Sequence, residues 1–265
     1  MWRVLLPLVM TLAKVNHSSV KSQKRLIRIG KDNDVDAETK VETKAEATAE
    51  ALVEPVGDDC TGDKVEVTTQ TIKSKDEVFE VDLQIPEISC IKDSTLQNRI
   101  NSQFNSDALA FRKETEVYVS AYVREAEKNA IPISPCIAKT EYKVHYNSNN
   151  ILSISVKYYS YTGGVHGSTV IKTLNINVDT GKILYLSDFY GSNYEEIVLQ
   201  AIHSQIENNE DKYYKNAREN LNSIPEKQSF YLLKGYVVVY YGEYDIAPYA
   251  SGIPEFRIPI AVMPY

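Results

Sequence analysis

The feature that most constrains the fold is a glycine-rich segment, Tyr161-Thr162-Gly163-Gly164-Val165-His166-Gly167, at the end of an alternating run of residues. Polar and apolar side chains alternate in the run 151–161, which is typical of a half-buried β-strand. Glycine tolerates positive φ and lets another backbone or a ligand approach closely. Three glycines in this segment therefore predict a shaped turn that connects two strands of a β-meander.

A second unusual segment, Tyr244-Asp245-Ile246-Ala247-Pro248-Tyr249-Ala250-Ser251-Gly252, lies near the C-terminus. Pro248 stiffens the backbone, and aromatic anchors on a stiff loop gain contact area at a small entropic cost. Two interpretations stay open. Tyr244 and Tyr249 either form a contact surface, or they pack back on the sheet and only shape the connection.

The remaining patterns predict an α+β fold, an antiparallel β-meander packed with one long and one shorter helix. Strands are predicted at 65–72, 78–85, 141–146, 151–161, 168–178, 183–186, 230–233, 236–241 and 255–260, and helices at 94–128 and 193–208. We predict two coupled subdomains, a strand-strand-helix unit at 60–136 and a meander-helix unit at 137–265.

The long helix has the clearest boundaries. Asp93 or Ser94 supplies an N-cap, and Asn129 with Pro132 ends the helix. Apolar residues recur at spacings of three, four and seven, which predicts one buried face. Its members are Leu96, Ile100, Phe104, Ala108, Phe111, Tyr118 and Tyr122.

The N-terminus resembles a short secretory signal. Arg3 is followed by about ten apolar residues, fewer than the roughly 20 that a membrane-spanning helix needs, and Thr11-Leu12-Ala13 offers a cleavage site. Residues 1–13 are thus predicted to be a signal-like segment, with a mis-started reading frame as the alternative. Residues 14–59 are charged and poor in large apolar residues, which predicts a disordered linker.

Charge is segregated along the chain and argues against nucleic acid as the partner. Residues 1–30 carry six Lys/Arg and no acidic residue, residues 31–59 carry ten acidic residues and three Lys, and the rest carries 26 acidic and 20 basic residues. Phosphate binding requires a basic footprint, which the globular part lacks. Tyrosine is abundant, 19 against six Phe, and suits both half-buried sheet faces and contact surfaces.

The three cysteines, Cys60, Cys90 and Cys136, have no CxxC spacing, so a zinc site is not predicted. If the domain is exported, Cys90 and Cys136 are candidates for a disulfide that leaves Cys60 free. Three reduced thiols are the alternative.

The sequence lacks two common hydrolase motifs, the GxSxG elbow and HExxH. His166 is interpreted as a hydrogen-bonded residue that locks the glycine-rich turn, with a role in binding as a second interpretation. The enzymatic alternative is a metal-dependent or cell-wall-acting hydrolase that uses His145 together with His166. We predict no catalytic residue, metal or cofactor.

The order of elements and several motifs resemble a bacterial extracytoplasmic domain found in RsiV-type anti-sigma factors and in PdaC-type peptidoglycan deacetylases. The resemblance covers about residues 65–262. The residues that carry it are the YTGGVHG segment, the run from Asn177 through Asp179-Thr180-Gly181-Lys182 to Phe189, Phe230-Tyr231-Leu232, and Tyr244–Gly252.

This resemblance implies an α+β fold of two coupled parts, a location outside the membrane and no catalysis. For the anti-sigma members it implies recognition of lysozyme, a basic enzyme that suits an acidic receptor. The sequence shows no apolar stretch of spanning length, so control of a sigma factor is not carried over to this chain.

The functional hypothesis is a secreted or surface-held recognition module that binds a protein such as lysozyme, or peptidoglycan. A purely structural accessory domain is a further alternative. The predicted ligand-binding residues all lie in the two unusual loops: Tyr161, Gly163, Gly164, His166, Tyr244, Pro248 and Tyr249.

Overall fold

The computed structural model describes residues 64–260, so the predicted signal-like segment, the predicted linker and Cys60 lie outside the described residues. The strands are β1 (Glu66–Lys75), β2 (Phe79–Ser89), β3 (Cys136–Ser148), β4 (Ile151–Tyr161), β5 (Ser168–Asn177), β6 (Phe230–Leu233), β7 (Tyr236–Tyr240) and β8 (Glu255–Pro259). The helices are α1 (Ser94–Lys128), α2 (Ser187–Tyr190), α3 (Tyr194–Glu207) and α4 (Ala217–Asn220). None of the helices within this range combines the length and the apolar composition needed to cross a membrane.

The first five strands form one sheet in the order β1-β2-β3-β4-β5. All neighbours are antiparallel except β2 and β3, which run parallel with Phe79 opposite Cys136. The parallel pair arises because α1 lies between the two strands and returns the chain to the end at which β2 begins. The α+β class is confirmed, with one parallel pair that the residue pattern did not reveal. The subdomain boundary predicted at 136/137 falls within β3, inside this sheet, and stays a prediction.

Helix α1 begins and ends where the sequence predicts. The Asp93 side chain accepts hydrogen bonds from the backbone N–H of Thr95 and Leu96, and Asn129 forms the C-cap. The buried stripe follows the prediction as far as Ala108 and then differs. Thr115, Val119 and Ala126 are buried farther along the helix, whereas Tyr118 is 50% exposed.

Helix α1 covers one face of the five-stranded sheet and forms the first core. Leu83, Leu152 and Ile154 are fully buried there, and they pack with Leu96, Ile100 and Phe104 of the helix. In β4 the even-numbered residues face α1, so the odd-numbered residues project from the opposite face.

The second sheet has the order β6-β7-β8 and forms a core with α3. Val198 and Ile202 of α3 pack with Val237, Val239 and Phe256 of the sheet. The strand predicted at 183–186 is not present as a strand. Only one isolated bridge, between Ile176 and Ile183, is formed before α2 begins.

Side chains of the first sheet bond to the backbone of β6 and join the two sheets. The Ser153 hydroxyl accepts from Leu232 N at 2.9 Å and donates to Asn175 Oδ1 at 2.7 Å. Asn175 Nδ2 then donates to the carbonyl of Phe230 at 2.8 Å. These bonds satisfy buried backbone groups on the free edge of β6 and couple the two sheets.

The predicted pairing of Cys90 with Cys136 is wrong. Cys136 is a buried free thiol, and Cys90 is disulfide-bonded to another residue. Cys136 lies opposite Phe79 at the start of β2, whereas Cys90 lies just beyond Ser89 at its end. Strand β2 extends about 33 Å from Phe79 to Ser89, so Cys136 and Cys90 lie at opposite ends of the strand. A disulfide tolerates only roughly 7 Å between Cα atoms.

Candidate functional site

The glycine-rich turn connects β4 to β5, and two of its three glycines lie in close contact with tyrosine rings. Gly163 has φ of +84°, and a Cβ atom there would overlap the ring of Tyr122 on α1. A Cβ atom on Gly167 would likewise overlap the ring of Tyr159. At Gly164 the nearest atom would be 3.7 Å away, so packing tolerates a side chain there. The turn is therefore shaped by two tyrosines that hold its ends.

The Tyr244–Gly252 loop connects β7 to β8 and is anchored at its base. Ile246 is buried, and its carbonyl accepts a hydrogen bond from Tyr214 N at 3.0 Å. The Ser251 hydroxyl donates to the carbonyl of Lys212 at 2.8 Å. Tyr244 has a positive φ of 66°, a conformation that non-glycine residues adopt rarely. The anchored base and the special backbone conformation together hold the tyrosines in place.

The two loops meet in an aromatic cluster, which we define as His166, Tyr244 and Tyr249. The rings of His166 and Tyr249 are stacked, with centroids 4.0 Å apart and an interplanar angle of 19°. The Tyr244 hydroxyl lies 2.7 Å from His166 Nε2. A further bond joins the segments, since Thr169 N donates to Glu243 Oε2 at 3.1 Å. The structure thus brings together residues that are 78 positions apart.

Hydrogen bonding determines the tautomer of His166. Its Nδ1 lies 2.8 Å from the carbonyl oxygen of Gly167, and a carbonyl only accepts, so Nδ1 carries the proton. In the neutral imidazole, Nε2 then accepts a hydrogen bond from the Tyr244 hydroxyl. Partial burial raises the pKa of the Tyr249 hydroxyl, and the negative charge of Glu243 raises it further. Because both nitrogens of His166 are hydrogen-bonded, its ring is held in place as a flat surface against Tyr249.

The other predicted residues lie beside the cluster. Tyr161 ends β4 opposite Ile137 and is half-buried, whereas Pro248 is exposed and directly precedes Tyr249. Sequence reasoning missed Val165, an apolar side chain that is fully exposed at the tip of the turn. The sequence did offer a signal for this exposed side chain, because Val165 is an apolar residue between Gly164 and His166 in an otherwise polar turn.

His145 and His166 do not form a pair. His145 lies at a β-bulge in β3, with Nε2 2.8 Å from the hydroxyl of Ser155, while His166 lies beyond the end of β4 at Tyr161. Strand β4 extends about 20 Å from Ser155 to Tyr161, and this length separates the two histidines. Ligands of one metal lie within about 2 Å of the ion. The hydrolase alternative that uses both histidines is therefore wrong in its geometry.

The environment of His145 is structural. Its ring stacks on Tyr231 of β6 with centroids 3.8 Å apart, and its Nδ1 is buried without a hydrogen-bond partner. Burial, and to a smaller extent the charge of Lys143, lowers the pKa of His145 to about 4. His203 also has a structural contact, since its Nε2 donates to the carbonyl of Leu221 at 2.7 Å. Within residues 64–260 no group of three His, Cys, Asp or Glu side chains is arranged to hold a metal ion.

Two family models match consecutive parts of the chain. The model described as deacetylase PdaC matches residues 72–169, and the model described as a protein of unknown function, DUF3298, matches residues 187–261. The glycine-rich turn lies at the end of the first match, and the Tyr244–Gly252 loop lies within the second. The aromatic cluster is therefore built from both matched parts.

Similar proteins agree with these matches. The anti-sigma-V factor RsiV of Bacillus subtilis is 23% identical over 206 residues, which cover 74% of this chain and 68% of the relative. The crystal structure of a DUF3298 family member from Bacteroides fragilis superposes with a TM-score of 0.57 at 24% identity. It covers 74% of this chain and 90% of that chain, and it supports the fold. The chain carries the domain that RsiV-type anti-sigma factors share with PdaC-type proteins.

Proposed function

We propose that this domain is a non-catalytic, extracytoplasmic recognition module that binds a protein ligand such as lysozyme through the aromatic cluster and the tip of the glycine-rich turn. The observation that carries the proposal is the junction of the two loops. Residues from both sheets build one surface, and hydrogen bonds and ring stacking hold it in shape before any ligand arrives.

The surface has the properties of a protein-binding site. Val165 is fully exposed and Tyr244 is 50% exposed, so apolar area is available for burial. Tyrosine is enriched among residues that dominate binding energy, and ordering it before binding lowers the entropic cost of association. The stacked ring of Tyr249 and the positive φ of Tyr244 provide this order.

Charge and similarity support the choice of ligand. The chain has a net charge of −7, and Glu243 and Asp245 lie in the loop beside the cluster. A basic protein ligand would be attracted to such a surface, most strongly at low salt. The similarity to an anti-sigma factor favours a sensor or binding role over catalysis. The resemblance to the RsiV-type ectodomain supports lysozyme as the first ligand to test.

The test is a calorimetric titration of the full chain with a c-type lysozyme at two salt concentrations. We expect binding that weakens as salt rises, and Tyr249→Ala should weaken it by roughly tenfold or more. Tyr236→Ala is the matched control, because Tyr236 is 44% exposed and lies at the start of β7, outside the cluster.

Circular dichroism should first show that each variant keeps its fold. Tyr236→Ala should bind lysozyme as tightly as the natural chain. If Tyr249→Ala does so as well, the assignment of the cluster is wrong. If the folded natural chain does not bind lysozyme at either salt concentration, the ligand is wrong and the structural accessory role becomes the leading alternative.

A further inference from the structure

The face of the five-stranded sheet opposite α1 is open beside the aromatic cluster. At the far end of this face, Ser153 and Asn175 bond to β6, so the second sheet covers that end. Toward the glycine-rich turn, the outward residues of β3, β4 and β5 form two rows across the strands. The rows are Lys139, Tyr159 and Thr169, and then Glu141, Lys157 and Ile171.

These rows form the floor of a trough, and the segment after β7 forms one wall. Glu243, Tyr249 and Ile253 line a cavity of about 460 Å³ together with Lys157 and Thr169. A second hollow of about 240 Å³ continues from Lys157 across β3. The first depression by itself lies within the volume range of small-molecule sites, and both depressions are open to solvent. Three strands span two strand spacings, about 10 Å, which is close to the length of a disaccharide.

The charges of the trough balance. Glu141 lies 2.6 Å from the ammonium of Lys139 and 3.7 Å from that of Lys157. With Glu243 the trough holds two positive and two negative side chains, so its net charge is zero. A strongly anionic or cationic ligand would therefore meet side chains of both signs. This balance favours a ligand without net charge.

The trough also presents polar groups that have no partner. Among residues 64–260, the hydroxyls of Tyr159, Thr169 and Tyr249 make no hydrogen bond, and Glu243 uses only Oε2, toward Thr169 N. Donors and acceptors are thus mixed over a short distance, beside two aromatic rings. A ligand that offers hydroxyl and amide groups along its edges and apolar C–H groups on its faces matches both features.

We propose that this trough is a binding site for a short stretch of an uncharged oligosaccharide. The sugar rings would lie against Tyr159 and Tyr249, and Lys157, Thr169 and Glu243 would bond to the hydroxyl and amide groups. The site goes beyond the proposed protein ligand, because its floor consists of sheet residues that are not part of the aromatic cluster. Only Tyr249 belongs to both surfaces.

The test uses the full chain labelled with ¹⁵N and follows chemical shifts and affinity in NMR titrations. The probes are a β-1,4-linked N-acetylglucosamine tetrasaccharide, its fully deacetylated cationic counterpart, and an uncharged tetrapeptide. We expect shifts in β3, β4 and β5 around Lys157, and weaker binding of the cationic sugar and of the peptide.

Two variants outside the aromatic cluster locate the site. Lys157→Gln and Thr169→Val should each weaken binding of the tetrasaccharide by roughly three- to tenfold, because Thr169→Val removes a hydroxyl and Lys157→Gln replaces the ammonium by an amide on a shorter side chain. Lys234→Gln, in the exposed turn between β6 and β7, and Thr71→Val, on the exposed strand β1, are the matched controls and should leave the affinity unchanged.

The proposal is overturned if the tetrasaccharide causes no shifts, if the peptide binds more tightly than the sugar, or if the control variants weaken binding as much as the trough variants. Its failure is separable from that of the proposed function. Loss of lysozyme binding in Tyr249→Ala tests the aromatic cluster, while Lys157→Gln tests the trough without changing a cluster residue.

Discussion

Two histidine–tyrosine stacks lie at opposite ends of the same sheet face and have nearly the same geometry. His145 stacks on Tyr231 at 3.8 Å and 21°, and His166 stacks on Tyr249 at 4.0 Å and 19°. Tyr231 is only 8% exposed and joins the two sheets, whereas His166 is exposed at the edge of the molecule. The same pair of residue types thus serves stability at one end and offers a contact surface at the other. Burial decides which role a stack has.

The largest expected effect concerns the buried stack. Tyr231→Ala should lower the free energy of unfolding by about 3–5 kcal/mol, because it leaves a cavity between the two sheets and exposes the ring of His145. Tyr249→Ala, at the exposed stack, should change it by less than about 1 kcal/mol. Urea denaturation of both variants measures the difference. Equal losses of stability would show that the two stacks do not differ in the way that their burial indicates.

The next effect concerns the support of the exposed stack. Gly163→Ala should cost about 1–3 kcal/mol, since it combines a positive φ with an overlap against the ring of Tyr122. Gly164→Ala is the matched control and should stay within about 0.5 kcal/mol, because the nearest atom would be 3.7 Å away. Thermal unfolding of the two variants checks this. The packing argument fails if Gly164→Ala is the more damaging change.

Acid should destabilise the molecule through the buried histidine. The pKa of His145 is lowered from 6.5 to about 4 in the folded chain, so below pH 6.5 the unfolded chain binds a proton that the folded chain excludes. The contribution of neutral His145 to stability is therefore complete above pH 6.5 and is lost as pH falls toward 4.

His145→Gln should flatten the fall in stability between pH 6.5 and pH 4. Urea denaturation of the natural chain and of this variant across this pH range measures the slopes. An unchanged slope in His145→Gln would mean that another group controls the acid sensitivity.

The smallest effect concerns the bond that joins the two loops. Tyr244→Phe removes the hydroxyl that donates to His166 Nε2 and keeps the ring, so stability should fall by about 0.5 kcal/mol or less at this exposed position. The sharper measurement is the ¹⁵N chemical shift of the His166 ring, which should show the loss of the Nε2 hydrogen bond. Tyr214→Phe, a change outside the aromatic cluster, should leave this signal unchanged.

Most elements were predictable because their signals are local. The predicted bounds of α1, 94–128, are those of the structure, since Asp93 caps the helix and Asn129 ends it. The alternation in 151–161 gave the bounds of β4, and glycines marked the turn that follows. The strand predicted at 183–186 failed because its apolar residues pack into the second core and only Ile183 forms a bridge to the sheet.

The chemical site was predictable in its parts and not in its assembly. The glycine-rich turn and the Tyr244–Gly252 loop stood out separately, yet nothing in the pattern showed that His166 stacks on Tyr249. The pairing of Cys90 with Cys136 failed for the same reason. It depended on the direction in which β3 runs beside β2, and no local pattern encodes that direction.

The sequence alone determined the α+β class, the two shaped loops, the capped helix and the acidic character of the chain, because periodicity, caps, glycines and charges act on neighbouring residues. The tertiary structure decided the parallel pair of strands, the separation of His145 from His166, the aromatic cluster and the trough beside it. Each of these depends on which distant residues share a sheet face. Register and packing set that, and only the folded chain as a whole determines them.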